Sequence, residues 1–180
     1  DGIFLAGSEA WTGAAGAPRL WATVNERALW RSDDGGATFG DLGGIEDDWG
    51  ALAASTLNPD LLVYGGVELH KSADGGASFT VQNAWSDYYE DVPNKLHADI
   101  QGVDVVPDGA GGEDWFVNTD GGTYLSEDGL ATTQNQSLSG LRVSQYYGTL
   151  TSAKDPTHVA AGAQDQGYQV STNQGSEGDL

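Results

Sequence analysis

Residues 72–79 of the chain read Ser72-Ala-Asp-Gly-Gly-Ala-Ser-Phe79, and residues 32–39 repeat the phrase as Ser32-Asp-Asp-Gly-Gly-Ala-Thr-Phe39. A weaker copy begins at Ser126, where Leu130 stands in place of the second glycine, and a remnant begins at Ser171. The same phrase at four places along one chain indicates a repeat architecture, in which each copy marks one structural unit.

The repeated phrase predicts a tight hairpin turn. The aspartate can accept hydrogen bonds from the backbone N–H groups of its own turn, the serine adds a second local bond, and glycine supplies positive φ angles. The aromatic residue then anchors the returning strand. Short runs of alternating apolar residues precede the copies, as expected for strands. We therefore predict structural roles for Ser32, Asp34, Gly36, Phe39, Ser72, Asp74, Gly76, Phe79, Ser126 and Asp128.

This phrase resembles the Asp-box, also called the BNR repeat, of sialidases, xyloglucanase-type glycoside hydrolases, the sortilin ectodomain and the photosystem assembly propellers. The first two copies match the Ser-x-Asp-x-Gly-x-x-aromatic consensus fully and the last two match it partly. The resemblance implies an all-β fold, a β-propeller segment of about four blades, each a four-stranded antiparallel sheet. It also implies export, to a secreted or cell-surface position outside a bacterial cell.

The strand pattern divides a single domain into four blades. We predict boundaries near 1–44, 45–84, 97–138 and 140–180, with an inserted loop at 83–96, and we expect the first blade to be incomplete. Because an open ring exposes sheet faces and edges, we expect part of a larger propeller of about six to ten blades. The expected partners are the remaining blades of the same propeller or another segment of the same precursor, and whether the missing part is another segment or another chain stays open. A closed four-blade ring is the alternative.

The composition restricts the partners. Seven Lys and Arg against 27 Asp and Glu give a net charge of −20. Such a surface repels nucleic acid and acidic membranes, so we expect no nucleic-acid binding and no membrane insertion. There is no Cys for a disulfide, thiolate site or Cys nucleophile. The absence of Met and the end of the chain inside a repeat predict a piece excised from a longer protein.

Antiparallel strand order predicts that the repeated turns lie at one end of the blades and that other polar segments collect at the opposite end. Long loops on a rigid scaffold commonly carry binding residues. The aromatic residues of the inserted loop could stack on sugar rings or pack beneath their own loop, and both alternatives stay open. The candidate ligand-binding residues at this opposite end are His97, Asp99, Gln145, Gln164, Trp85, Tyr88 and Tyr89.

Two aspartates are candidate catalytic groups. The segment Asn118-Thr-Asp-Gly-Gly-Thr-Tyr124 resembles the Thr-Asp-x-Gly-Gly-x-Tyr segment of xyloglucanase-type hydrolases, in which the aspartate is catalytic. The resemblance implies a role for Asp120, with Asp165 as the corresponding residue one blade further on. Two carboxyl groups about 6.5–9.5 Å apart suit an inverting glycosidase. An aspartate before Gly-Gly is equally what an ordinary turn requires.

No cofactor and no metal site are expected. One histidine and one carboxylate, His97 and Asp99, are a weak metal signal. The Asp-Gly turns leave calcium possible, but they offer one or two carboxylates where calcium takes six to eight oxygens.

Two functions therefore remain. The favoured one is an exported module that binds a protein or glycan, or that forms a structural part of a larger surface or secreted protein. The alternative is a glycoside hydrolase of the xyloglucanase type. A sialidase is disfavoured, because three arginines must bind its substrate and Arg31 lies in a strand leading into a repeated turn.

Overall fold

The regular structure is almost entirely β. The computed structural model describes residues 2–8, 10, 16–46, 48–138, 146–164 and 167–171. Two short 3₁₀ helices, Trp85–Tyr89 and Gln136–Leu138, accompany the strands in these ranges. Neither of these helices has the length or the apolar content needed to span a bilayer.

The strands form four sheets in chain order, and each strand pairs antiparallel with its sequence neighbours. The first sheet contains β1 (Ile3–Ser8), β2 (Arg19–Val24), β3 (Ala28–Ser32) and β4 (Gly40–Gly44). The second contains β5 (Ala53–Ala54), β6 (Leu62–Gly65), β7 (Leu69–Ser72) and β8 (Thr80–Val81). The third contains β9 (Ile100–Pro107), β10 (Glu113–Thr119), β11 (Gly122–Ser126) and β12 (Gln134–Asn135). The fourth contains, within the described residues, β13 (Tyr146–Thr151), β14 (Val159–Ala163) and β15 (Gly167–Ser171).

The expectation of an incomplete first sheet is wrong. Strand β4 pairs with β3 from Ala28 opposite Gly44 to Arg31 opposite Gly40, and this completes four strands. The sequence Gly-Asp-Leu-Gly-Gly of β4 has little intrinsic β propensity, which is why its pattern does not predict a strand. The preceding turn places it beside β3, and the pairing follows from that position.

Each of the first three sheets has its repeated phrase between the third and fourth strands. We call residues 32–39, 72–79 and 126–133 the Ser–Asp turns. In each turn the serine hydroxyl donates to the aspartate carboxylate and accepts the N–H of the residue four positions after the serine. The aspartate then accepts both the N–H and the hydroxyl of the residue four positions after itself.

The second Ser–Asp turn gives the distances of this pattern. Ser72 Oγ lies 2.8 Å from Asp74 Oδ1 and 2.8 Å from the nitrogen of Gly76. Ser78 donates its N–H to Asp74 Oδ1 over 2.9 Å and its hydroxyl to Oδ2 over 2.6 Å. Two side chains thereby provide acceptors for backbone donors that have no strand partner.

The third Ser–Asp turn keeps this geometry without its second glycine. Gly36 and Gly76 have φ angles of 92° and 93°, and Leu130 occupies the equivalent position with φ 64°. A left-handed leucine is strained. Its side chain is 1% exposed within the apolar core, so burial offsets the backbone cost.

Successive sheets pack face to face through two apolar clusters. Trp21 and Leu29 of the first sheet contact Ala54 and Leu62 of the second. The larger cluster joins the second and third sheets and contains Ala51, Ala53, Leu61, Val63, Leu69, Leu96, Ile100, Trp115, Val117, Tyr124 and Leu130. This face-to-face order of four-stranded antiparallel sheets is the blade arrangement of a β-propeller, and it confirms the predicted fold class.

Basic side chains add a repeated polar contact between blades. Arg31, directly before the first turn serine, donates from Nη1 to the carbonyl oxygen of Gly75 over 3.1 Å. Lys71, directly before the second turn serine, donates from Nζ to the carbonyl oxygen of Gly129 over 2.6 Å. Leu125 stands at the same position before the third. The first two blades therefore each donate one side-chain hydrogen bond to the Ser–Asp turn of the blade that follows.

The antiparallel register separates the two ends of the sheets. Leu20 pairs with Ser32 next to the first Ser–Asp turn, whereas Val24 pairs with Ala28 at the opposite end. We call this opposite end the rim; it carries the β2–β3, β6–β7 and β10–β11 turns and the starts of β5 and β9. The start of the third blade contacts the second blade at the rim, where the N–H of Ile100 donates to the carbonyl oxygen of Gly66 over 2.8 Å.

Gly65 is a test of this close blade contact. A Cβ atom at Gly65 would lie 2.5 Å from Cγ2 of Ile100 and 3.0 Å from Cβ of Ala51. We expect Gly65→Ala to lower the free energy of unfolding by about 1–3 kcal/mol, because the backbones must separate. Gly102→Ala, in a strand with open space around the added atom, is the matched control and should change it by less than about 0.5 kcal/mol. Equal denaturant midpoints for the two variants would contradict the packing.

The Ser–Asp turns predict an acid-sensitive fold. Their hydrogen bonds, from Thr38, Ser78 and Thr132 foremost, lower the pKa of Asp34, Asp74 and Asp128 from 3.8 to about 2. A lowered pKa in the folded state stabilises the protein at pH values above the unfolded pKa, and this contribution is lost as the pH falls through the folded pKa. Stability measured by urea unfolding should therefore fall between about pH 4 and pH 2.

Asp74→Asn isolates one turn in that experiment. The variant should be less stable than the parent at pH 5 and should lose less stability on acidification, because one titrating group is gone. Asp104→Asn, an exposed position in β9, serves as the control. Parallel pH profiles for the parent and Asp74→Asn would show that the turn carboxylate does not contribute.

Candidate functional site

Asp120 lies in the β10–β11 turn at the rim and is held by two amide side chains. Its Oδ1 accepts a hydrogen bond from Nε2 of Gln101 over 2.9 Å, and its Oδ2 accepts one from Nε2 of Gln164. Gln164 directly follows β14 of the fourth sheet, and its Oε1 accepts from the Tyr147 hydroxyl. The structure therefore brings Asp120 and Gln164, both candidates from the sequence, into direct contact between two blades.

Asp99 lies next to this group and anchors the backbone. It has a left-handed φ of 64° and donates its N–H to the carbonyl oxygen of Val67 over 2.9 Å. Its own carbonyl oxygen lies 3.3 Å from Nε2 of Gln101. Sequence reasoning missed Gln101. Gln101 is the second residue of β9, and its contact with Asp120 depends on the pairing of β9 with β10, which leaves no signal in the local sequence.

His97 is buried within the rim. Its side chain is enclosed by the inserted loop and the β10–β11 turn, and the residue is 6% exposed. The ring packs edge-on against Tyr88 at 4.6 Å between centroids. A Cβ atom at Gly121 would lie 2.5 Å from Cγ of His97, so the turn backbone lies directly on the imidazole. This environment favours a packing role for His97.

The inserted loop is partly packed and partly open. Its 3₁₀ helix is fixed at the start, where the N–H of Trp85 donates to Oε1 of Glu68 over 2.9 Å. The ring of Tyr89 packs edge-on against Tyr88 at 5.4 Å and against Trp85 at 6.2 Å. Trp85 nevertheless remains 49% exposed and Tyr89 67% exposed. Tyr88 thus packs beneath the loop, whereas Trp85 presents indole surface to solvent.

Trp85 borders an open cleft at the rim, which we call the rim cleft. The cleft measures about 640 Å³ and falls within the size range of small-molecule sites. It lies where the β2–β3 turn, the segment between β4 and β5, the β6–β7 turn and the inserted loop meet. The lining residues are Arg27, Ile45, Glu46, Trp49, Val67, Glu68, His70 and Trp85.

A stacked histidine forms part of the cleft wall. The ring of His70 lies parallel to that of Tyr64, 4.6 Å away with an interplanar angle of 2°. Nε2 of His70 lies 3.4 Å from Oε2 of Glu46, whose side chain is 79% exposed. Burial lowers the pKa of His70 below 6.5, although Glu46 and Glu68 act in the opposite direction. The imidazole is therefore mainly neutral at pH 7, and the glutamate presents its charge to solvent.

A buried carboxylate positions the second indole of the cleft. Asp48 accepts hydrogen bonds from the Thr23 hydroxyl over 2.6 Å and from the N–H groups of Gly50 and Ala51 over 3.0 Å each. These bonds hold the segment that carries Trp49, whose side chain is 44% exposed. The convergence of Trp49, His70 and Glu46 was not predicted, since it depends on how two blades pack.

Two candidates from the sequence, Gln145 and Asp165, lie outside the described residues. The separation of the carboxyl groups of Asp120 and Asp165 therefore stays a prediction. Within the described ranges, no group of three or more His, Asp or Glu side chains is placed to hold a metal ion.

Comparisons with known proteins place the fold. No protein-family model matches the chain, and no curated protein matches it. The GH74 xyloglucanase from Xanthomonas campestris is similar in structure, with a TM-score of 0.50 and 15% identity over 96% of this chain and 37% of that one. The likeness at this identity extends to the fold alone.

Two further solved structures share lower similarity. The GH74 enzyme from Niastella koreensis has a TM-score of 0.46 and 18% identity, covering 93% of this chain and 27% of that one. YCF48 from Cyanidioschyzon merolae has a TM-score of 0.36 and 12% identity, covering 96% of this chain and 66% of that one. The chain thus spans well under half the length of the two GH74 structures.

Proposed function

We propose that this chain is a non-catalytic β-propeller module that binds a glycan in the rim cleft. The observation that supports it is the presence of two half-exposed indoles, Trp49 and Trp85, on one open cleft with Glu46 and Glu68. Aromatic faces offer flat apolar surface, and carboxylates accept hydrogen bonds from hydroxyl groups. A small number of placed polar groups in an otherwise aromatic and apolar cleft is typical of ligand sites.

The setting of this module is also a proposal. The Ser–Asp turns have the hydrogen bonds that an Asp-box would need, and we propose an exported Asp-box protein located at the cell surface or secreted. In that setting the partners are further blades of the same propeller and a glycan or protein ligand. No cofactor is required for binding of this kind.

The indoles provide the direct test of glycan binding. We expect Trp49→Ala and Trp85→Ala each to weaken binding of soluble β-glucans by about tenfold or more, because a central aromatic contact is removed. Affinity gel electrophoresis against a panel of plant and bacterial polysaccharides measures the effect. Leu57→Ala, a 53% exposed apolar residue in the β5–β6 turn away from the rim, is the control. Unchanged retardation of both Trp variants on every polysaccharide that the parent binds would contradict the cleft as the site.

The alternative function is glycoside hydrolysis with Asp120 and Asp165 as acid and base. Asp120 favours it by position, because its carboxylate lies at the rim and contacts Gln164, the residue that precedes Asp165. The name of the Xanthomonas campestris neighbour, a xyloglucanase, suggests xyloglucan as the first substrate to try.

Substitution of the two aspartates tests the hydrolase. If the alternative holds, Asp120→Asn and Asp165→Asn should each reduce the release of reducing sugar from xyloglucan by about 10²-fold or more, because a general acid or base is lost. Asp104→Asn is the matched control. Equal rates for the parent and the two Asn variants, or no release by the parent, would reject these roles.

A further inference from the structure

The charges around the rim cleft are predominantly negative. Two carboxylates, Glu46 and Glu68, line it together with one guanidinium, that of Arg27. His70 adds little positive charge at pH 7, because burial lowers its pKa. The whole chain carries a net charge of −20, so the potential at an open cleft attracts cations from solution.

The aromatic residues of the cleft favour the same class of ligand. Trp49 and Trp85 are 44% and 49% exposed on the same cleft. Indole is the best of the aromatic side chains at binding a cation over its ring face, and the attraction increases as water is excluded. A flat sugar ring and a cationic substituent can therefore use the same two side chains.

The geometry keeps one carboxylate available to such a substituent. Glu46 has an exposed side chain beside the imidazole of His70, and its backbone N–H is fixed by donation to the Tyr64 hydroxyl over 3.3 Å. Glu68 is placed by its bond to the N–H of Trp85. The backbone of Glu46 and the carboxylate of Glu68 are thus positioned on the cleft by contacts that do not depend on a ligand.

We propose that the rim cleft selects glycans that carry protonated amino groups, such as glucosamine polymers, over their neutral counterparts. The inference rests on the proposed glycan binding and names the ligand class of the same site. An ammonium group on the sugar pairs with Glu46 or Glu68 while the ring lies against an indole. An acetylated nitrogen or a hydroxyl at the same position keeps the ring contact and loses the charge.

Three oligosaccharides of equal length separate the ring contact from the charge. They are β-1,4-linked oligomers of glucosamine, N-acetylglucosamine and glucose, measured by calorimetry at neutral pH, where part of the amines is protonated and the imidazole of His70 stays mainly neutral. We expect the parent chain to bind the glucosamine oligomer about tenfold more tightly than either neutral oligomer, which is about 1.4 kcal/mol. Added salt should reduce this preference, because it screens exposed charges.

Charge-removing variants locate the effect. Glu46→Gln and Glu68→Gln should each reduce the preference for the glucosamine oligomer by about threefold or more and leave the neutral oligomers within about twofold, as expected for exposed ion pairs. Glu127→Gln, which removes the same charge from an exposed position in the third Ser–Asp turn, should leave the preference unchanged. Trp85→Ala should weaken the binding of all three oligomers.

The outcomes distinguish the two proposals. If no oligomer binds, the proposal of glycan binding is wrong, and the inferred selection for amino groups is rejected with it. If all three bind equally, or if the neutral oligomers bind more tightly, the cleft binds glycans but the inference about the amine is overturned. A preference that changes to the same extent, or not at all, in Glu46→Gln, Glu68→Gln and Glu127→Gln would assign it to the overall charge, and that result also overturns the role of the cleft carboxylates.

Discussion

The organisation of this protein depends on the backbone N–H groups in the turn between the third and fourth strands of each sheet, which need hydrogen-bond acceptors. A sharp turn between two strands leaves N–H groups without a ladder partner. Ser32 and Asp34, and their counterparts in the next two sheets, provide the missing acceptors from within the turn itself. Because this solution is local, each hairpin turn is closed by its own residues, and three sheets have the same turn geometry.

The repeat also determines how one sheet contacts the next. The residue before the turn serine extends toward the following blade, where Arg31 and Lys71 donate to the turn carbonyls of Gly75 and Gly129. Apolar faces between the sheets provide the larger area. The hydrogen bonds within the turn are therefore the same in the first three blades, and most of the variation lies at the rim, where connections differ in length and chemistry.

The sequence predicts those parts of the fold that depend on near neighbours. The Ser–Asp turns and the strands leading into them are of this kind, and so is the all-β class. Strand β4 could not be predicted, because Gly40–Gly44 has almost no side-chain pattern and becomes a strand by pairing with β3.

The candidate site was also harder to predict, because it depends on contacts between residues that are distant in the sequence. His97 and His70 each follow a leucine in the sequence, yet one is packed under an inserted loop and the other lines the rim cleft. Trp49, His70 and Trp85 meet because consecutive sheets stack and a connection folds back over them. Long-range packing of this kind leaves no signal in a single sequence.

The position of Leu125 has a mechanical consequence. Arg31 and Lys71 each donate a hydrogen bond to the following blade. Leu125 stands at the same position in the third blade, and its side chain has no hydrogen-bond donor. At the rim, the third and fourth sheets are joined by the amide of Gln164 on the carboxylate of Asp120. A molecule bound at Asp120 would compete with this hydrogen bond, so the junction between the third and fourth sheets depends in part on a contact that lies at the rim.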